Sequence, residues 1–98
     1  MRKLRVSRSA VKDLDEIWLY IAERQSSEAA ERFISLLTSK FPLLSSHPGV
    51  GRRRPELGTG VHSFPVRNYR IYYRQDAKGI VRILHVRHSK REEPTRFA

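Results

Sequence analysis

An α+β fold of the order β-α-α-β-β-β is predicted for this 98-residue chain. Three observations carry that prediction. Apolar residues recur at helical spacing through the first half, they alternate at strand spacing in the second half, and Gly/Pro-rich segments punctuate the change. A chain of this length supports one core and a two-layer arrangement. Residues 1–98 therefore read as a single domain, with a polar, mobile tail at 89–98. The expected arrangement is a helical hairpin packed on one face of a small antiparallel sheet.

The first element is a short strand in which Leu4 and Val6 alternate with Lys3, Arg5 and Ser7; it is expected to pair at an edge of the sheet. From Ala10 the period changes. Ala10, Leu14, Ile17 and Ile21 form one stripe of an amphipathic helix over about 9–24, with Ser9 as its N-cap and Val11 and Trp18 widening the stripe. Arg24-Gln25-Ser26-Ser27 is a short polar link, after which Ser27 caps a second helix and Glu28 sits in its first turn, where the helix dipole favours an acid. Ala30, Phe33, Leu37, Phe41 and Leu44 continue the helical spacing. Pro42 lacks an N–H and clashes with the carbonyl of Thr38, which predicts a kink or an early end.

Residues 48–60 read as loop, with Arg52-Arg53-Arg54 in its middle. Ser63 to Arg74, S-F-P-V-R-N-Y-R-I-Y-Y-R, is the densest run of strand-forming residues. It reads as two strands, about 61–66 and 69–75, turning at Arg67-Asn68. Alternation sends Tyr69, Ile71 and Tyr73 to one face and Arg70, Tyr72 and Arg74 to the other. Asp76 to Gly79 is a second turn, with Gly79 free to take a positive φ. Ile80 to Arg87 is a third strand; Val81 and Ile83 on one face, with Leu84 and Val86 on the other, mark it as central.

Charge separates these halves. Lys and Arg number 20 against 10 Asp and Glu, a formal net charge of +10. Residues 9–47 are slightly acidic, with four basic and six acidic side chains, whereas residues 48–98 hold twelve basic and four acidic ones. A field of that sign favours an acidic protein, nucleic acid or an anionic surface. Cysteine is absent, which excludes disulfides and thiolate zinc sites and makes the cytoplasm the expected location. No apolar run reaches 18 residues, so no membrane partner is expected.

Four segments in order resemble the ParE/RelE superfamily of type II toxin–antitoxin toxins: D-L-D-E-I-W-L-Y-I-A (Asp13 to Ala22), H-P-G-V-G-R (His47 to Arg52), the Ser63–Arg74 run, and R-H-S-K-R-E (Arg87 to Glu92). The resemblance spans about residues 4 to 93, and the first helix, the glycine loop and the His88, Arg91, Glu92 ending are typical of ParE-like members. It implies a toxin that inhibits DNA gyrase and is neutralised by a cognate ParD-like antitoxin with an acidic C-terminal segment. No cofactor is implied. The RelE-like branch cleaves mRNA on the ribosome, and Arg70 and Arg91 match its phosphate-binding arginines. That branch places lysines where this chain has Ser63 and Pro65, and uses a C-terminal tyrosine where it ends Phe97-Ala98, although some members use a histidine near His88.

Cleavage to a cyclic phosphate needs a base, an acid and cations on the phosphate. The candidates are His85 or His88 with Arg70, Arg74, Arg87 and Arg91; the alternative catalytic set taken from the resemblance is His88, Arg70 and Arg91. No carboxylate–histidine pair stands out in the sequence. The competing role for Arg67, Arg70, Arg74 and Arg87 is to bind carboxylates of an acidic partner, where bidentate arginine contacts are strong. The four histidines are scattered, His85 and His88 facing opposite sides of a regular strand, and no metal site is expected.

Overall fold

Two serine hydroxyls open the helical hairpin, and each lies before the serine that the sequence favours. The computed structural model describes residues 3–90. Strand β1 is Leu4–Val6 and helix α1 is Arg8–Arg24. Ser7, not Ser9, is the N-cap: its backbone is extended and its hydroxyl accepts the Ala10 N–H at 3.0 Å. The same hydroxyl donates to the carbonyl of Leu84 at 2.9 Å, so the cap also ties the helix to the sheet. Ser26, not Ser27, caps helix α2 (Ser27–Ser39), accepting the Ala29 N–H at 3.0 Å. Between the helices, Trp18 Nε1 donates to Glu31 at 2.9 Å.

Pro42 produces the early end. Helix α2 stops at Ser39 and helix α3 (Phe41–Ser46) begins with the proline in its first turn, where a missing N–H costs nothing. The apolar stripe survives the break, because Leu37, Phe41 and Leu44 are all buried in one core. A 3-10 turn at Pro48–Val50 then leads into strand β2, Arg52–Arg53, inside the segment expected to be loop. A second 3-10 turn, Pro55–Leu57, precedes the meander β3 (Val61–Val66), β4 (Tyr69–Gln75) and β5 (Val81–His88).

The strand order is β1-β5-β4-β3-β2. Every pairing is antiparallel except β1 with β5, which is parallel, so the sheet is mixed and not antiparallel throughout as expected. Arg67 takes φ 55° in the β3–β4 turn and Gly79 takes φ 80° in the next. Ser89, expected to begin the tail, donates its N–H to the Asn68 carbonyl at 2.7 Å, so the ordered chain runs past the strand end. The rest of the tail, from Arg91, lies outside the described residues.

One irregularity decides which side chains share a face. Tyr72 pairs with His85 but Tyr73 pairs with Ile83, leaving Leu84 as the extra residue of a bulge in β5. Strict alternation would put Leu84 and Val86 together. The bulge instead returns Val86 to the helix-facing core with Val81, Ile83, Ile71 and Tyr73, while Leu84 packs on the opposite side with Leu57, Val61 and Tyr72. Helices α1, α2 and α3 thus cover one face of the sheet. Among the described residues, the other face has only the small Leu57–Val61–Tyr72 cluster with Leu84.

Candidate functional site

The five strands hold seven arginines and no aspartate or glutamate. Strand register sorts them. Arg70 stands opposite Arg87, and Arg74 stands opposite Arg82, which in turn stands opposite Arg5. Arg52 pairs with Ser63, which pairs with Tyr72, so it belongs to the same face. This is the face away from the helices. Of the four partner-binding arginines expected from sequence, Arg70, Arg74 and Arg87 meet here. Arg67 does not; it is exposed in the β3–β4 turn beside a different surface.

Burial on this face is uneven in an informative way. Tyr72 is only 2 % exposed, so it is a packing residue and not an aromatic platform between the arginines. Arg54, from the basic run in the segment expected to be loop, is 8 % exposed. It donates to Glu56 at 2.8 Å and to the Ser63 hydroxyl at 3.2 Å, and its guanidinium lies 5.8 Å from the Tyr72 ring. The Arg54 hydrogen bond holds the Glu56 carboxyl below its ordinary pKa. The Nε atoms of Arg74 and Arg87, by contrast, are buried without a hydrogen-bond partner among the described residues. A buried unsatisfied donor is costly, more so on a cation. Only the Nε edges are in this state, since Arg87 also reaches His85 Nδ1 through a terminal nitrogen at 3.2 Å.

The candidate nuclease set is separated by the sheet. His88 pairs with Tyr69 and packs edge-on against its ring at 5.1 Å, on the helix side, whereas Arg70 faces the other way. His88 Nδ1 also accepts the Lys90 N–H at 3.1 Å. Arg91 lies outside the described residues. A carboxylate–histidine pair does form, contrary to the sequence reading: His85 Nδ1 lies 3.1 Å from Asp13 Oδ2 and 3.2 Å from an Arg87 nitrogen. Their separation of 72 residues hid the pair. Asp13 Oδ2 also accepts the Val86 N–H at 3.0 Å, so the carboxylate has a structural task at the strand edge.

A second surface lies on the helix side. An open groove of about 1320 Å³ runs between α1, α2 and the end of the sheet, lined by Ile17, Tyr20, Phe33, Leu36, Tyr69 and Val86, with Arg67, His88 and Lys90 also on its wall. Tyr20 is 52 % exposed, with the Arg24 guanidinium 4.4 Å from its ring. Burial pushes the Tyr69 hydroxyl above its ordinary pKa, keeping it neutral in this groove. Sequence reasoning missed the groove, because its two walls come from distant segments. It also missed Arg5 and Arg82 as members of the arginine face, since only strand register joins them to Arg74.

Relatives share this architecture. A solved structure of the chromosomal ParDE toxin–antitoxin system from P. aeruginosa aligns with a TM-score of 0.80 at 22 % identity, covering 92 % of this chain and 98 % of that one. The RelBE2 toxin–antitoxin complex from Mycobacterium tuberculosis aligns with a TM-score of 0.66 at 27 % identity, over 89 % of this chain and 96 % of that one. In sequence, Toxin ParE1 of Caulobacter vibrioides is 31 % identical over 86 residues, covering 87 % of this chain and 90 % of the relative. The family model for the ParE toxin of the type II toxin–antitoxin system parDE matches residues 4–93. With its α+β architecture and near-complete coverage, the chain belongs to the ParE family of type II toxins.

Proposed function

We propose that this protein inhibits DNA gyrase in the cytoplasm and is held inactive by a cognate ParD-like antitoxin, whose acidic C-terminal segment lies along Arg70, Arg74 and Arg87. The observation that carries the antitoxin contact is the row of arginines on strands that hold no aspartate or glutamate, with the Nε atoms of Arg74 and Arg87 lacking a hydrogen-bond partner among the described residues. Carboxylates accept two parallel hydrogen bonds from a guanidinium, the geometry those edges lack. Gyrase, as the target, is supported by family membership and by the distance between the elements of the nuclease set, since His88 and Arg70 lie on opposite faces. Purified toxin is expected to block gyrase supercoiling or to trap cleaved DNA, and equimolar antitoxin is expected to restore activity. Unaffected supercoiling at large molar excess overturns the gyrase reading.

A second reading has one observation in its favour. His85, held beside Asp13 at 3.1 Å and Arg87 at 3.2 Å, is a better-placed general base than His88 for cutting ribosome-bound mRNA. Neighbouring Arg70 and Arg87 would then hold the phosphate. Cleavage of translated mRNA by the wild type, lost in His85→Ala with supercoiling unaffected throughout, would establish this reading in place of the first.

A further inference from the structure

Going beyond gyrase and antitoxin, we propose that the open face of the sheet binds the phosphate backbone of duplex DNA, with Arg5 and Arg82 extending the cationic band beyond the antitoxin contact. Arg74, Arg82 and Arg5 stand abreast on β4, β5 and β1, and Arg70 stands abreast of Arg87 on β4 and β5. Neighbouring strands are ~4.8 Å apart and four residues along a strand span roughly 13 Å. Five guanidinium groups therefore cover a band about 10 Å wide and 13 Å long. Like charges directly opposite one another on adjacent strands destabilise a sheet. Three such contacts occur here, and the strands themselves hold no carboxylate. A partner with negative charge repeated in two dimensions removes that repulsion.

Two features select the duplex backbone among polyanions. Single-stranded nucleic acid is held by stacking bases on exposed aromatic rings, but the aromatic on this face, Tyr72, is 2 % exposed. An acidic peptide is a single line of charge. It can follow Arg70 and Arg74 along β4, yet it leaves Arg82 and Arg5, both exposed, on the strands beside it. Duplex DNA presents about one charge per 1.7 Å of its axis on two strands and can meet the whole band. Such binding is independent of sequence, because contacts to phosphates position a protein on the duplex without reading its bases. DNA and antitoxin then compete for Arg70, Arg74 and Arg87, and Arg5 and Arg82 are where their footprints differ.

The test uses the full-length toxin and a fluorescent mixed-sequence duplex of about 30 base pairs, long enough to span many phosphates at the charge spacing above. Anisotropy titrations between roughly 50 and 200 mM salt give the affinity and its salt slope. Wild type is expected to bind in the micromolar range at the low-salt end, with a slope near −4 for about five phosphates. Arg5→Gln with Arg82→Gln is expected to weaken binding about tenfold or more and to reduce the slope by about 2. Both side chains are exposed, so the fold is retained; single Arg82→Gln should show about half that slope change. The charge-matched control is Lys12→Gln with Arg32→Gln, exposed on the helices, which should change affinity less than about threefold. Equal loss in both pairs means diffuse basicity and overturns the proposal. So does tighter binding of a single-stranded oligonucleotide or of polyglutamate than of the duplex, and so does the absence of duplex binding at low salt. No step involves gyrase, ribosome or antitoxin, so failure here is distinct from failure of the proposed function.

Discussion

The carboxylate of Asp13 accepts the backbone N–H of Val86 at 3.0 Å, so a side chain of α1 completes the edge of a strand 73 residues away. Strand β1 ends at Val6, opposite Ile83. Ser7 carries the edge pairing one step further, donating its N–H to Ile83 at 3.0 Å and its hydroxyl to Leu84 at 2.9 Å. Asp13 takes the next free amide. Asp13→Ala therefore leaves that N–H without its acceptor and should cost about 1–3 kcal/mol. For a domain of this size each kcal/mol lowers Tm by about 4–8 °C. Asp13→Asn keeps an acceptor oxygen and should lose less than half as much. Thermal and urea unfolding of the three proteins measure this; an Asp13→Ala variant that melts with the wild type removes the edge role.

Gly51 is required by proximity and not by its backbone angle. A Cβ there would meet the Tyr73 hydroxyl at 2.5 Å and the Ser63 carbonyl at 2.7 Å. Tyr73 can yield only by losing two hydrogen bonds, one donated to the Pro48 carbonyl at 2.7 Å and one accepted from the Gly51 N–H at 2.8 Å. Gly51→Ala should destabilise by about 1–3 kcal/mol or more, the cost of overpacking. Gly49, two residues earlier, would bring its Cβ near nothing within 4 Å. Gly49→Ala should be close to neutral, and matching losses in the two variants would contradict the close approach.

The same tyrosine makes stability fall at alkaline pH. Burial raises the Tyr73 pKa above its ordinary value, only partly opposed by the Gly51 hydrogen bond, and burial raises Tyr69 as well. The unfolded chain thus releases these protons at lower pH than the folded chain does. Their contribution is fully present below the unfolded value, about 10, and is lost as pH rises through the folded values. Tyr73→Phe has no proton to lose at that site. Its stability, lower at neutral pH, should decline less steeply between about pH 9.5 and 11. Denaturation midpoints across that range check the slope, and parallel curves for wild type and variant would remove Tyr73 from the account.

What could be read in advance followed from periodicity and local chemistry. The hairpin stripes, the turns at Arg67-Asn68 and Asp76–Gly79, and the strands between them are all sequence-local signals. The caps were displaced because Ser7 and Ser9, like Ser26 and Ser27, have equivalent side chains, and only backbone angle selects between them. The bulge at Leu84 left no mark on composition, yet it moves Val86 to the opposite face. Arg82 joined the site through its register with Arg74, and Arg5 through the parallel pairing with Arg82, neither of which periodicity can foresee. The Asp13–His85 contact is a product of tertiary packing alone. The arginine face was therefore legible as a chemistry but not as a map.

Charge reversal at the centre of that face tests the antitoxin contact. Arg70 and Arg74 lie on β4, two residues either side of buried Tyr72, so both can contact one extended acidic segment running along the strand. Hydrogen bonds to charged groups contribute about 1.5–3 kcal/mol each, and a glutamate in place of arginine adds repulsion to that loss. Arg70→Glu with Arg74→Glu should therefore weaken the antitoxin complex on the order of a thousandfold or more. Calorimetric titration of folded toxin with antitoxin measures it. A charge reversal on the hairpin, Arg24→Glu, controls for net charge and should leave affinity within about fivefold, because an exposed rim charge contributes little at close range. Unchanged affinity in the double reversal would move the antitoxin contact off the sheet face and onto the groove between α1, α2 and Tyr69.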